Sequence, residues 1–429
     1  MKTLFSKEPS VSLKKITKSI HGIEINSIPK FPLRILKILI LNGFESYIVG
    51  GSLRDKILNL RPKDFDIATK ATPEQIKKLI PRSRIIGRRF KLVHVRQGKE
   101  IIEVATFRAA NKNNLKSNEG MVIRDNKYGS SLEDALRRDF TMNSLFYDIE
   151  TEELLDYTGG YKDLLQKKVT VIGDTETRFK EDPIRMLRAV RFSTKLNFQL
   201  NSDLIRKINQ LGHLLLNIPT ARRLDEVKKL FLNGYAFKNA ILLNETNLLE
   251  FLFPSLKEEF FKNKKNYLQE FINISLQETD KRFAHNKPIM LPFLMATLLW
   301  PALIMRMGEI NSPNIKIPNL RNNARKVIKD HSNFCSIPKR MEFIIIEIWE
   351  YQIKLLRTKS PKAIQLVSHA RFRAAYDFLI NREKAGSDLK HLGDWWTKFK
   401  EADYFHKKKM IKTNNFETKK PKSLKKRLK

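Results

Sequence analysis

The 429-residue chain has a single cysteine, Cys335. That excludes an internal disulfide framework and a cysteine-based zinc site, and it fits a reducing compartment. Acidic residues are few: 46 Asp and Glu stand against 82 Lys and Arg, a formal net charge of +36. An excess of this size speaks to partners rather than to fold, and a polyanion is the natural one; a generally basic proteome is the bland alternative. The N-terminus is basic and polar without an apolar core segment, so no secretory signal is expected. Long hydrophobic runs are nearly absent. The exception, IMLPFLMATLLWPALIM from Ile289 to Met305, is interrupted by Pro292 and Pro301 and bounded by Lys287 and Arg306, which reads as a buried helix rather than a membrane span. No repeat period is found. With 41% apolar and 10% aromatic residues, the chain can fold into roughly two to four domains with a substantial core.

What is present is concentrated first in Tyr47 to Ala71, YIVGGSLRDKILNLRPKDFDIATKA. Tyr47-Ile48-Val49 has strand character, Gly50 and Gly51 break it, and Ser52 to Leu60 has helical spacing. Such a junction gathers unpaired backbone N–H groups and the positive end of a helix dipole, which favours a phosphate. Arg54 in the first turn adds a forked donor. If Asp64 to Ile67 is a strand, Asp64 and Asp66 share a face while Phe65 turns into the core. Paired carboxylates beside a phosphate cradle suit divalent metals that act on a nucleotide. A glycine turn and two solvated aspartates remain the bland reading of either half alone.

Around this stretch, Pro32 to Asn42 reads as a helix ending at Gly43, and Thr72-Pro73-Glu74-Gln75 as a capped helix start. Arg84 to Arg108 alternates like strands joined by a turn at Gln97-Gly98, with Ile101, Glu103 and Ala105 on one face. His94 reads as structural. Asn111 to Ser130 reads as a surface loop. Ser131 to Asp148, SLEDALRRDFTMNSLFYD, begins with a helical stripe of Leu132, Ala135, Leu136 and Phe140. A last short strand is expected at Val169 to Ile172. Arg178 to Phe192, RFKEDPIRMLRAVRF, is an amphipathic helix with a basic side. Further on, His285, Arg371, Arg373, Trp395 and Trp396 are candidates for RNA contact, against the blander reading of core and solvated charge. From His406 the chain reads as a basic, structureless tail.

GGxxRD, DFD, RRDFTxN, D-x-x-x-G-x-x-D-L and EDPxRMLRAxRF, in this order over roughly residues 45 to 400, resemble the family of bacterial poly(A) polymerases and class II CCA-adding tRNA nucleotidyltransferases. The sequence departs from the polymerases at Ser52, where they often have a third glycine. The resemblance implies an α+β fold: a nucleotidyltransferase head with a mixed β-sheet and helices, then all-α neck, body and tail. The implied boundaries are a loosely ordered lead-in at 1–30, the head at 31–165, the neck at 166–235, the body at 236–405 and the tail at 406–429.

Roles also follow from the resemblance. Asp64, Asp66 and Glu103 would be catalytic and hold two Mg²⁺ ions, with Mn²⁺ as a substitute, and Asp139 would support the active site. Gly50, Gly51, Arg54, Arg138, Asn143 and Arg188 would contact the nucleotide, while Asp182 and Arg185 read the edge of its base. Lys407, Lys408, Lys409, Lys425, Lys426 and Arg427 of the tail would bind RNA. The expected activity is template-independent addition of nucleotides to RNA 3′ ends. GRRFKLVHV, RDNKYGSSLEDALRRDFTMNSLFYD, FLMATLLWPAL, ARFRAAYDFL and WWTKF, with the basic tail, favour polyadenylation from ATP over CCA addition. A non-catalytic RNA-binding protein on the same scaffold is a remote third reading. The expected protein is a cytoplasmic monomer without a transmembrane segment, acting on mRNA, tRNA and small RNAs in RNA turnover alongside degradation machinery; the tail leaves peripheral membrane contact open.

Overall fold

The computed structural model describes residues 12–87, 91–109, 127–256, 266–308, 310–312 and 314–413. The chain divides into two compact units, 1–214 and 215–429. This is coarser than the five expected segments, and it groups the helices between 175 and 211 with the head.

The first unit holds an eight-stranded sheet. Its strands are β1 (Lys14–Ile16), β2 (Ser46–Val49), β3 (Asp66–Thr69), β4 (Ser83–Ile86), β5 (Leu92–Gln97), β6 (Glu100–Thr106), β7 (Leu145–Tyr147) and β8 (Leu154–Asp156). The spatial order is β1-β8-β7-β2-β3-β6-β5-β4. All neighbours run antiparallel except β3 and β6, so the sheet is mixed, as expected. Helices flank it. The helix Lys30–Leu41 buries Phe31, Ile35, Leu36 and Leu39, a stripe at helical spacing, and the chain leaves it through Gly43 at φ 80°. Pro73–Leu79 opens with a reciprocal cap: Thr72 Oγ1 accepts from the Gln75 N–H, and Gln75 Oε1 accepts from the Thr72 N–H at 2.8 Å. Such a box contributes about 1 kcal/mol.

Several expectations need correcting. Within the supposed lead-in, Lys14–Ile16 is a strand paired to β8 and Lys18–His21 is a helix. The turn between β5 and β6 falls at Gly98-Lys99, one residue later than expected. Phe140 lies outside its helix, which stops at Arg137. No strand forms at Val169 to Ile172; isolated bridges join Val171 to Phe140 and Lys168 to Gln199, because the partner segment 139–143 turns too soon to extend a ladder. Tyr404–Thr413 is helical, and its Lys-rich composition has good helix propensity. Most of the expected loop at Asn111 to Ser130 lies outside the described residues, as do Arg88, Arg89 and Phe90 of GRRFKLVHV.

The second unit is helical. The apolar run of residues 289–305 becomes the helix Leu291–Met307, buried nearly all round from Leu294 to Pro301. Trp349 donates its indole N–H to the Ala296 carbonyl at 3.1 Å. Among the described residues no helix is long and apolar enough to cross a membrane. His331 is stacked on Phe253, and its Nε2 has no hydrogen-bond partner among the described residues. Burial, helped by the Arg223 charge, pushes its pKa down to about 4.

The folded state therefore resists a proton that the unfolded chain accepts at its ordinary 6.5. This costs nothing above that pH, and the loss grows as pH falls toward 4. The component due to His331 is about 2 kcal/mol between pH 7 and pH 5. In urea unfolding, His331→Phe is expected to lose that much less stability than the parent over the same interval; equal losses would refute the assignment.

Candidate active site

The site grows from the turn after β2. Gly50 takes φ 76°, which a side chain rarely adopts, and a Cβ there would meet Arg138 Nη1 at 3.3 Å. Gly51 starts the helix Gly51–Ile57. Ser52 fills the place of a third glycine by donating its hydroxyl to the Val49 carbonyl at 3.3 Å. Arg54 does not point outward. It is buried, bonded to Asp55 Oδ1 at 2.6 Å and to Asn143 Oδ1 at 2.7 Å.

Phe65 is buried and Asp66 opens β3, whereas Asp64 stands exposed just before the strand begins. The parallel pairing sets Asp66 beside Glu103, and β5 sets His94 beside Glu103 on the other side. Ile101, Glu103 and Ala105 lie on the open face while Ile102 and Val104 are buried. His94 Nε2 lies 3.3 Å from Glu103 Oε1, so it touches a candidate ligand. Burial, then the neighbouring Glu103, opposed by Arg138 and reinforced by Asp64, pushes the Asp66 carboxyl up to about 6. Among the described residues no three His, Cys, Asp or Glu side chains converge as a ready-made cage. The donors nonetheless fit a hard divalent cation: they are carboxylate oxygens, and their crowding is what such an ion relieves.

A second set of charges is fully paired. Asp139 Oδ1 accepts from the Phe140 N–H at 2.9 Å and Asn143 Nδ2 at 3.2 Å, and Oδ2 accepts from Arg188 Nε at 2.6 Å. Burial alone would raise this carboxyl, but the Arg188 charge and those hydrogen bonds hold it below its ordinary value. Asp134 is buried and takes Arg137 at 3.0 Å and Arg138 at 2.9 Å. Burial opposes its ionisation too, and the two arginines prevail. Arg178 Nη2 donates to the carbonyls of Arg137 and Arg138, and its Nη1 pairs with Glu181 at 2.7 Å.

The helix Ile184–Leu196 presents Arg185 and Arg188. Asp182 lies just before it, with Oδ1 accepting from the Ile184 N–H at 3.3 Å, and Arg185 Nη1 reaches the Arg178 carbonyl at 2.8 Å. Arg54, Arg188 and Arg191 all stand over the Phe192 ring, with guanidinium carbons 4.6 to 5.5 Å from its centre. Sequence reasoning did not single out Asp134, Glu181 or Phe192. Asp134 sits at i−3 and i−4 from the two arginines, and that spacing was the available signal.

The remaining candidates are in the second unit. Lys407, Lys408 and Lys409 lie on the helix Tyr404–Thr413, with Lys408 over the Tyr404 ring at 4.5 Å. Lys425, Lys426 and Arg427 lie outside the described residues. Trp396 is fully buried and donates to the Leu355 carbonyl at 2.9 Å, so it is core and no stacking platform.

A glycine-bent strand–helix turn beside carboxylates on β3 and β6 makes up the head, and comparison with known proteins identifies that head as a nucleotidyltransferase. Residues 46–170 match the model of the poly A polymerase head domain, 197–260 that of the probable RNA and SrmB-binding site of polymerase A, and 314–429 that of the polymerase A arginine-rich C-terminus. The sequence is 38% identical over 395 residues to poly(A) polymerase I of Escherichia coli O6:H1, covering 90% of this chain and 85% of that one. A CCA-adding enzyme of Anoxybacillus flavithermus is 37% identical over 234 residues, 54% of this chain and 57% of that one. The fold is similar to that of the Thermotoga maritima CCA-adding enzyme complexed with tRNA, with a TM-score of 0.59 at 16% identity over 88% of this chain and 84% of that one. The chain belongs to the poly(A) polymerase family.

Asp134→Ala leaves two arginines without their shared anion. It is expected to cost about 2–3 kcal/mol in guanidinium unfolding at unchanged m-value, discounted for the partial exposure of the arginines. A loss below about 0.5 kcal/mol would show that the pair holds nothing together.

Proposed function

We propose that this protein adds adenylate residues from ATP to RNA 3′ ends, without a template and with release of pyrophosphate. The carrying observation is the side-by-side placement of Asp66 and Glu103 across β3 and β6. Beside them, the Arg138 charge reaches Asp66 and its guanidinium abuts Gly50. Carboxylates crowded together next to a cationic, glycine-lined turn suit a polyphosphate bound through metal.

In this reading Asp64, Asp66 and Glu103 hold Mg²⁺, or Mn²⁺ in its place. Divalent cations bound there supply charge neutralisation at the phosphates and a lowered pKa for the attacking 3′-hydroxyl. The Gly50–Gly51 turn and Arg138 receive the triphosphate. Arg54 acts through Asn143, and Asp139 fixes both Asn143 and Arg188. Asp182 and Arg185 select adenine, a carboxylate accepting from the exocyclic amine and a guanidinium donating to a ring nitrogen. The helical second unit and the basic tail, Lys407 to Lys409 and Lys425 to Arg427, hold RNA through its phosphates. The protein works as a cytoplasmic monomer on mRNA, tRNA and small RNAs, feeding RNA turnover. CCA addition is the second reading, favoured by the partial-length likeness to CCA-adding enzymes. Likeness over 90% of the chain to poly(A) polymerase I supports the first.

Primer extension separates them. With Mg²⁺ and ATP, an unstructured RNA is expected to give a long ladder. One to three additions confined to a tRNA lacking its end, with CTP also used, would instead establish CCA addition. Asp64→Ala is expected to bind RNA as the parent does while losing extension roughly a thousandfold, the several kcal/mol that bound metal contributes. An active Asp64→Ala protein would overturn the metal assignment.

A further inference from the structure

A cavity lies wholly within the unit 215–429, among the helices Tyr267–Ala284, Leu291–Met307 and Phe372–Lys384. Its volume of about 500 Å³ suits one nucleotide. The floor is polar and buried: Asn381 Nδ2 donates to Ser275 Oγ at 3.0 Å, with Thr279 beside them. The walls are apolar and aromatic, formed by Met290, Phe293 and Tyr376. Seven Lys and Arg line it against two acids.

Those two acids are already taken. Asp377 faces Arg373 at 3.1 Å and Arg282 at 3.7 Å, and Glu278 faces Lys281 at 2.9 Å. Arg371 pairs outside the lining with Glu347. Lys287 and Lys384 are exposed at the rim and have no acidic partner among the described residues. Lys400 pairs with Glu401, so the arrangement is an apolar slot with two uncompensated lysines beside it and hydrogen-bonding groups at its base. Unpaired nucleotides present that same combination: a phosphate outside, a π-face to bury and base edges to bond. A duplex hides its faces and fits no such slot.

We propose that this slot takes one unpaired nucleotide of the bound RNA, its phosphates between Lys287 and Lys384 and its base against Phe293 and Met290, its edge toward Asn381. The proposal deepens the RNA-extending reading by naming a holding point away from the carboxylates, and it rests on that reading only in taking RNA as the polyanion.

The test is photocrosslinking of the full-length protein to a single-stranded oligo(A) carrying 8-azidoadenine, in EDTA and without ATP, followed by peptide mapping. Label is expected within residues 275–293 or 370–384. Label confined to other segments would overturn the proposal, and so would displacement of that label by millimolar ATP, which would mark a free mononucleotide site. Lys287→Glu with Lys384→Glu is expected to weaken oligo(A) binding at least about fivefold more than the charge-matched exposed pair Lys316→Glu with Lys326→Glu. Equal weakening by both pairs would reduce the slot to general surface charge and refute it. Because neither assay requires turnover, labelling of the slot in a protein that extends no RNA would fail the catalytic reading alone.

Discussion

The ion pair between Asp139 and Arg188 is the constraint on which the rest of the head depends. One carboxylate takes the Phe140 N–H, the Asn143 amide and the Arg188 guanidinium. Through Asn143 it reaches Arg54, and through Arg54 the helix that follows the glycine turn. Three segments distant in sequence are thereby fixed to one partly buried anion. A charge in such a place is tolerable only while every lone pair is occupied, so no member of the chain can leave without stranding the others.

Read by their partners, the acids of the head fall into two kinds. Asp134 is held by two guanidiniums, and Asp139 by one guanidinium and two N–H donors, and both are held ionised. Asp156 is enclosed by backbone: its oxygens accept from the N–H groups of Thr158, Gly159, Gly160 and Tyr161. Asp66 is the exception, set among like charges and pushed toward its neutral form. Anions satisfied within the protein need no ligand, and one left among like charges is a candidate to bind a cation. The contrast singles out the candidate site from its scaffold by charge environment alone.

Much of this was legible in the sequence. The Thr72–Gln75 box, the open face of Ile101, Glu103 and Ala105, and the inward turn of Phe65 follow from periodicity and capping chemistry. The mixed sheet ahead of helices followed from the family resemblance that the motifs carry. What was not legible depends on contacts between distant segments. Arg54 looks like an outward phosphate donor until Asn143 is placed beside it. Asp163, a motif position with no role assigned from the sequence, accepts the Thr141 hydroxyl at 2.6 Å. Lys14–Ile16 has too little pattern to announce a strand, and only β8 makes it one. The slot in the second unit is assembled from three helices, none of which announces it alone.

The β3–β6 pairing has one more consequence, which concerns the order of assembly. Every other neighbour in the sheet is antiparallel, and β5 and β6 are joined by a two-residue turn that closes locally. Between Asp66 and Glu103, by contrast, the chain first builds a helix and two further strands. Their meeting is a non-local event in which loop-closure entropy and the mutual repulsion of the carboxylates are met together, whereas the longer-range pairings of β2 with β7 and β1 with β8 face no two acids. The ladder beneath the candidate site is thus a joint that closes against its own charge, and a cation that quiets the repulsion would ease the closing.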